Sequence, residues 1–188
     1  MSSLSDFVAV SFVCLQDAIT AANTAAAPKN QIGHVVMRPG IQIEPDMAQF
    51  QDMCCEGYAY LRVMRVMAPE EPTRQEPLGT PISPCGMDSL GAEMELSIFR
   101  CAEVGNIDFP VQDDAWNAAY IQLLTDFDTL NSALCCIRSA FAQNHQTWSI
   151  IYNDWQPWEV QGACLGSRLQ FTATIECPDE NCLGARVD

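Results

Sequence analysis

The stretch from Asp113 to Phe141, DDAWNAAYIQLLTDFDTLNSALCCIRSAF, decides how the rest of the chain is read. Its apolar residues Trp116, Tyr120, Leu123, Phe127, Leu130, Leu134, Ile137 and Phe141 recur at alternating steps of four and three. That period predicts one helix of about eight turns at roughly 3.6 residues each. Asp113 or Asp114 suits the N-cap and places negative charge at the positive end of the helix dipole. Such a stripe serves either a coiled-coil partner or a single helix laid on a sheet. The second needs no other chain and is the preferred reading.

The segments on either side supply that sheet. Upstream, Leu4, Val8, Phe12, Leu15, Ile19 and Ala22 lie at helical spacing, with Asp6 near the helix start and Pro28 beyond its end. Gly33 to Arg38 begins extended structure, and Pro39-Gly40 predicts a turn, with Ile41 to Glu44 on an edge or loop path. Tyr58 to Met67 is a strand by its β-branched and aromatic content. Ala92 to Cys101 alternates Ala92, Met94, Leu96 and Ile98 with Glu93, Glu95 and Ser97, which predicts one core face and one solvated face. Downstream, Thr147 to Tyr152 and Arg168 to Cys177 read as two strands joined by an aromatic loop, Asn153 to Trp158.

Together these elements predict an α+β fold: a mostly antiparallel sheet with an N-terminal helix and one long helix packed on it, in a single domain over residues 1–188. Residues 68–86 hold Pro69, Pro72, Pro77, Pro81 and Pro84 beside Glu70, Glu71 and Glu76, which predicts a long mobile loop. The tail, residues 178–188, is polar and is expected to be loose.

Composition narrows the function. Nine basic and 24 acidic residues leave a net charge of −15, which argues against sequence-reading nucleic-acid binding, since that begins by neutralising phosphates. An acidic surface can still line a channel through which DNA slides without sticking. The apolar run Phe7 to Leu15 is interrupted by Ser11, so no membrane span is expected. Nor is a signal peptide, because Asp6 precedes that run and the first basic residue is Lys29. Ten cysteines leave three readings open: buried free thiols, disulfides formed late in a protein that works outside a cell, or a metal site. The last lacks the C-x₂-C pairs that zinc prefers.

Chemistry finds little purchase. Neither His34 nor His145 sits in a metal or triad motif, and the chain has no G-x-G-x-x-G and no Walker lysine. Glu93 and Glu95 read as a solvated strand face rather than an acid–base couple. No catalytic residue, metal ligand or cofactor is therefore assigned, and an enzyme is not expected. Two segments suit subunit contacts instead. In the proline-rich loop, otherwise a solvated hairpin tip, these are Glu70, Glu71, Arg74 and Glu76; in the aromatic segment, otherwise a core cap on the end of the sheet, they are Asp154, Trp155, Trp158 and Glu159, where tryptophans stand among polar neighbours.

Several motifs taken together resemble neck or tail-completion proteins of long-tailed bacteriophages of actinobacterial hosts. They are Arg38-Pro39-Gly40, Cys54-Cys55-x-Gly57, the strand Tyr60-Leu61-Arg62-Val63, the run Glu95 to Cys101, Trp155-x-Pro157, and Gly162-x-Cys164-x-Gly166. They span Arg38 to Cys177. The order of elements is also similar to tail terminator proteins. The resemblance implies a virion protein made in the host cytoplasm, a homo-hexameric ring that ends the tail tube and joins it to the head-closure ring. Its partners would be copies of itself, the major tail-tube protein and the head-closure (stopper) protein, with DNA only as a passing polyanion and no membrane. The alternatives are the stopper itself, or a non-viral binding module with buried thiols. Disulfide candidates are Cys54, Cys55, Cys85, Cys101, Cys135, Cys136 and Cys164, with one of Cys54 and Cys55 expected to bond Cys101 or Cys85, and with each adjacent pair, Cys54-Cys55 and Cys135-Cys136, expected to split into one inward and one outward member.

Overall fold

A computed structural model describes residues 4–26, 31–39, 57–67, 89–101, 113–143, 148–161 and 164–176. In chain order they form α1 (Leu4–Ala25), β1 (His34–Pro39), β2 (Tyr58–Met67), β3 (Ser89–Cys101), α2 (Asp113–Gln143), β4 (Trp148–Gln161) and β5 (Cys164–Glu176). The five strands make one sheet in the order β1-β2-β3-β5-β4. β1 pairs parallel with β2, and every other neighbour is antiparallel. Both helices pack on the sheet, α1 against β1 and β2, α2 against β5, β4 and β3, and they also pack on each other. The α+β class expected from the sequence is the one the chain adopts.

Alternation along the strands builds the core. Ala59 and Leu61 of β2, Ala92, Met94, Leu96 and Ile98 of β3, and Leu169, Phe171 and Ala173 of β5 point to the helices and are buried. Leu130, Leu134, Ile137 and Phe141 of α2 meet them, as the heptad stripe predicts. Each of these leucine, isoleucine, methionine and phenylalanine side chains stabilises the fold by about 1.5–3 kcal/mol through burial. The stripe stops short at its N-terminal end, because Trp116 and Tyr120 are exposed and no residue from 113 to 122 is buried. The buried face of α1 is centred on Phe7, Ser11, Cys14, Leu15 and Ile19, about one residue round from the expected stripe, and Phe7 stacks on Phe141 at 4.6 Å. By length and hydropathy α1 is also long and apolar enough to cross a membrane, which the count of uninterrupted apolar residues understated. Here its apolar face is spent on the core.

Two local devices fix the entry into the sheet. Asn23 near the end of α1 imitates a strand partner: its Nδ2 donates to the Ile32 carbonyl at 2.9 Å and its Oδ1 accepts from the Ile32 N–H at 2.8 Å. Gly57 has a φ of +69°, and its carbonyl accepts from the N–H groups of Gly33 and His34. A Cβ there would stand 2.5 Å from the Gln31 carbonyl oxygen, so both the backbone angle and the space require glycine.

The expected aromatic loop is strand. β4 runs unbroken from Trp148 to Gln161, carrying Pro157 opposite Ser167. Proline is tolerated there because β4 is an edge strand, where its missing N–H breaks no ladder. Register shifts between Tyr152 and Asp154, and again between Trp158 and Gln161, bend this edge as β-bulges do. The expected edge path at 41–44, the loop 68–86 and the tail 178–188 lie outside the described residues.

Cys14 of α1 and Cys136 of α2 form a disulfide across 122 residues of sequence. Cys14 is not among the candidates expected from the sequence, and it lies off the apolar stripe expected for α1. Of the pair Cys135-Cys136, Cys136 is bonded and Cys135 is free, but both are exposed, so the pair does not divide into one inward and one outward member. Cys101 and Cys164 stand opposite each other in the β3–β5 register. Cys54, Cys55 and Cys85 are outside the described residues, and with them the bridge expected from the first cysteine pair.

Closing so long a loop restricts the unfolded chain, and such bridges contribute about 2–4 kcal/mol. Guanidinium melts with and without reductant are expected to differ by that amount, and Cys14→Ser should show the same loss with no response to reductant. Because Phe7 and Phe141 already hold the two helices together, the reduced chain should keep its far-ultraviolet circular dichroism. Identical melts in both conditions would refute the bridge.

Candidate functional site

The face of the sheet turned away from the helices carries the densest polar grouping in the described residues. Glu93, Glu95 and Ser97 share it by alternation, as expected, but the face is not wet: Glu95 and Ser97 are both 0 % exposed. The Glu95 carboxylate is held by four donors. Its Oε1 accepts from the Tyr60 hydroxyl and the Ser97 hydroxyl, each at 3.0 Å. Its Oε2 accepts from Arg62 Nη2 and Gln170 Nε2, each at 2.9 Å. The donors come from β2, β3 and β5, so one carboxylate joins three strands. The pattern Arg62, Glu95, Gln170 is written in the sequence, but only the sheet register makes them neighbours: Arg62 pairs with Glu95, and Glu95 with Gln170.

Aromatic side chains continue this face. Tyr60 stacks on Phe99 at 5.7 Å, and Tyr58 lies 6.2 Å from Tyr60. The Arg38 guanidinium sits 5.1 Å from the Tyr58 ring centre and donates Nε–H to its hydroxyl at 2.9 Å. Cation–π contacts of this kind contribute about 0.5–1 kcal/mol when partly exposed. Gly166 makes room for the Phe99 ring, since a Cβ there would come within 2.6 Å of it. At the outer end of the face Arg65 pairs with Glu93.

On the helix side a second buried pair ties α2 to β3. Arg100 donates Nε–H to both oxygens of Asp126, at 2.9 and 3.0 Å, and Nη2–H to Oδ1 at 2.8 Å. Gln122 adds a hydrogen bond to the same oxygen. Burial raises the Asp126 carboxyl above its ordinary range, while the hydrogen bonds and charge of Arg100, and then Gln122, pull it back. Burial likewise raises the Tyr60 phenol well above its usual value, with the charge of Glu95 adding to the rise.

The two buried carboxylates each accept from a guanidinium and from further donors, hydroxyls and an amide at Glu95 and an amide at Asp126. The chemistry of the arrangement is that of a polar lock. His34 stands on β1 with its ring 6.5 Å from Tyr58, and His145 is outside the described residues. Among the described residues, no three His, Cys, Asp or Glu side chains gather as metal ligands would. No protein-family model matches the chain, and no curated protein matches its sequence.

The expected interface residues fall into three groups. Glu70, Glu71, Arg74 and Glu76 lie outside the described residues. Trp155 is half-buried on the helix side, edge-on to Phe127 at 5.2 Å, with its indole N–H donating to Ser167, so its ring is part of the core margin. Asp154 faces the other way and accepts from Gln156, while Trp158 and Glu159 follow on the same edge strand, Trp158 opposite Gly166. Sequence reasoning missed Trp116, Tyr120, Ile121 and Leu124, which are 54, 61, 64 and 41 % exposed on α2. The signal was present: Ile121 and Leu124 lie off the heptad stripe, and a helix apolar on more than one face has more than one surface to cover.

Glu95→Ala would leave Arg62 buried without its carboxylate, and breaking such a pair costs about 3–5 kcal/mol. Urea melts are expected to show that loss for Glu95→Ala, with part of it restored by Glu95→Met/Arg62→Met. A Glu95→Ala chain as stable as the wild type would refute the lock.

Tyr60 sets an alkaline limit. Its phenol ionises in the unfolded chain near pH 10 and only above that in the folded one, so its contribution is full below about pH 10 and is lost as pH rises towards the folded value. Stability should fall above pH 10 by up to about 1.4 kcal/mol per pH unit from this group, and Tyr60→Phe should flatten that decline. Equal slopes for the two chains in urea melts at pH 9–11 would exclude this role for Tyr60.

Proposed function

We propose that the chain is a structural subunit of a virion neck, a tail terminator whose copies close into a ring that ends the tail tube and joins it to the head-closure ring. One observation carries the reading. Among the described residues the buried carboxylates Glu95 and Asp126 are bound by Arg62 and Arg100, whereas the first turns of α2 hold Trp116, Tyr120 and Ile121 out to solvent. Aromatic side chains on an exposed helix face are the anchors of protein–protein contacts. The α+β order of elements is in keeping with the family the motifs resemble, and the net charge of −15 suits a lumen through which DNA passes without adhering.

Within the same neck, the head-closure (stopper) ring would dock on the portal side rather than on the tube. A second reading, a small binding module that works outside the reducing cytosol, is favoured by the Cys14–Cys136 bridge. Electron microscopy of the purified chain, alone and mixed with tail-tube protein, is expected to show rings capping the ends of tubes. Rings that ignore tubes and bind portal complexes would move the assignment to the stopper. A strict monomer that leaves tube ends bare would leave the binding module.

A further inference from the structure

The Cys14–Cys136 bridge is sealed at one end and open at the other. Cys14 is 3 % exposed and belongs to the core cluster that holds Phe7, Leu15 and Ile19. Cys136 is exposed on α2. The residues one turn before and after it are Ser132, Ala133, Ser139 and Ala140, and side chains so short do not reach over a neighbouring sulfur. Cys135, exposed and unbonded, is turned about 100° from Cys136 round the helix and takes no part in the bridge.

Thiol–disulfide exchange begins when a thiolate attacks one of the two bridged sulfurs, and access decides which. From solvent the Cys136 sulfur is the one within reach, and Cys14 is then the leaving group. A bridge enclosed at both ends would be inert to a dissolved thiol until the chain unfolded. This one is open to attack in the folded state.

We propose that Cys136 is a modification site for low-molecular-weight thiols of the glutathione class, which join it by opening the bridge. The thiolate sulfur attacks Cys136 Sγ, a new S–S bond forms as the Cys14–Cys136 bond breaks, and the electron pair leaves on Cys14, which takes up a proton from water. One disulfide and one thiol become another disulfide and another thiol, so no further oxidant or reductant is consumed. Phe7, stacked on Phe141, keeps α1 on α2 after the exchange. Cys14 therefore stays in the core, shielded from dissolved reagents yet placed to attack Cys136 again, expel the small thiol and restore the bridge. The site is a reversible covalent latch between the two helices, and it stands independently of the ring reading.

Peptide mapping tests it. The oxidised full chain is incubated without denaturant in a series of reduced glutathione concentrations, quenched in acid, and mapped by mass spectrometry. The glutathione adduct is expected on Cys136, forming at a rate proportional to glutathione concentration. Cys14 should appear as a free thiol that iodoacetamide alkylates at least about tenfold more slowly than Cys135, since it must wait for local opening. Cys135→Ser, at an exposed site, should form the same adduct at the same rate. An adduct on Cys14, or a bridge left intact at large glutathione excess, would overturn the assignment. So would exchange at a rate independent of glutathione and equal to that of unfolding, which would show that the folded bridge is closed. An adduct that Cys135→Ser fails to form would make Cys135 the point of entry instead. A folded, oxidised chain in which Cys14 and Cys136 both map as free thiols would remove the bridge and the site together and leave the ring reading untouched.

Discussion

A carboxylate taken out of water is the constraint on which the sheet depends. An unpaired buried charge is too costly to tolerate, so Glu95 demands that Tyr60, Arg62, Ser97 and Gln170 all be in place. Those donors sit on β2, β3 and β5, the three interior strands. Sliding β3 by one residue would turn Glu95 to the side of Met94 and Leu96 and carry apolar side chains to the polar face. Apolar alternation fixes the register from the helix side, and the Glu95 group fixes it independently from the other. Such a group contributes specificity more than net stability, because the desolvation of both charges offsets most of their attraction.

The helix layer is tied down by different means. Phe7 on Phe141 and the Cys14–Cys136 bridge join α1 to α2, Asn23 docks the end of α1 on Ile32, and Arg100 grips Asp126. Every tie on α2 falls at or after Gln122. The turns before it have no buried side chain of their own, yet they carry three of the most apolar exposed residues among those described. A helical segment gains most of its stability from packing, so a face of this composition calls for a covering surface.

Among the described residues the buried carboxylates Glu95 and Asp126 are taken up by ion pairs, and large apolar side chains stand exposed on α2 and β4 and on α1, β1 and β2. Edge strand β4, bulged and carrying Pro157, is poorly shaped for open-ended strand pairing.

Period and alternation in the sequence were sufficient for α2, α1, β2, β3 and the α+β class, because apolar spacing reports directly which side of an element meets the core. The aromatic segment at 153–158 misled, since proline and polar residues signal a loop unless the strand is known to lie at an edge, and strand order is not a local property. Glu95 read as solvated for the same reason: alternation separates two faces but does not say whether the second is covered. Cys14 and Cys136 are 122 residues apart in sequence, and nothing local marks them as partners. The sequence by itself determined the elements and the residues that face the core. Only the tertiary structure decided which polar groups meet, which cysteines bond and where α2 outruns its support, because each of those depends on distances between segments that the chain brings together only by folding.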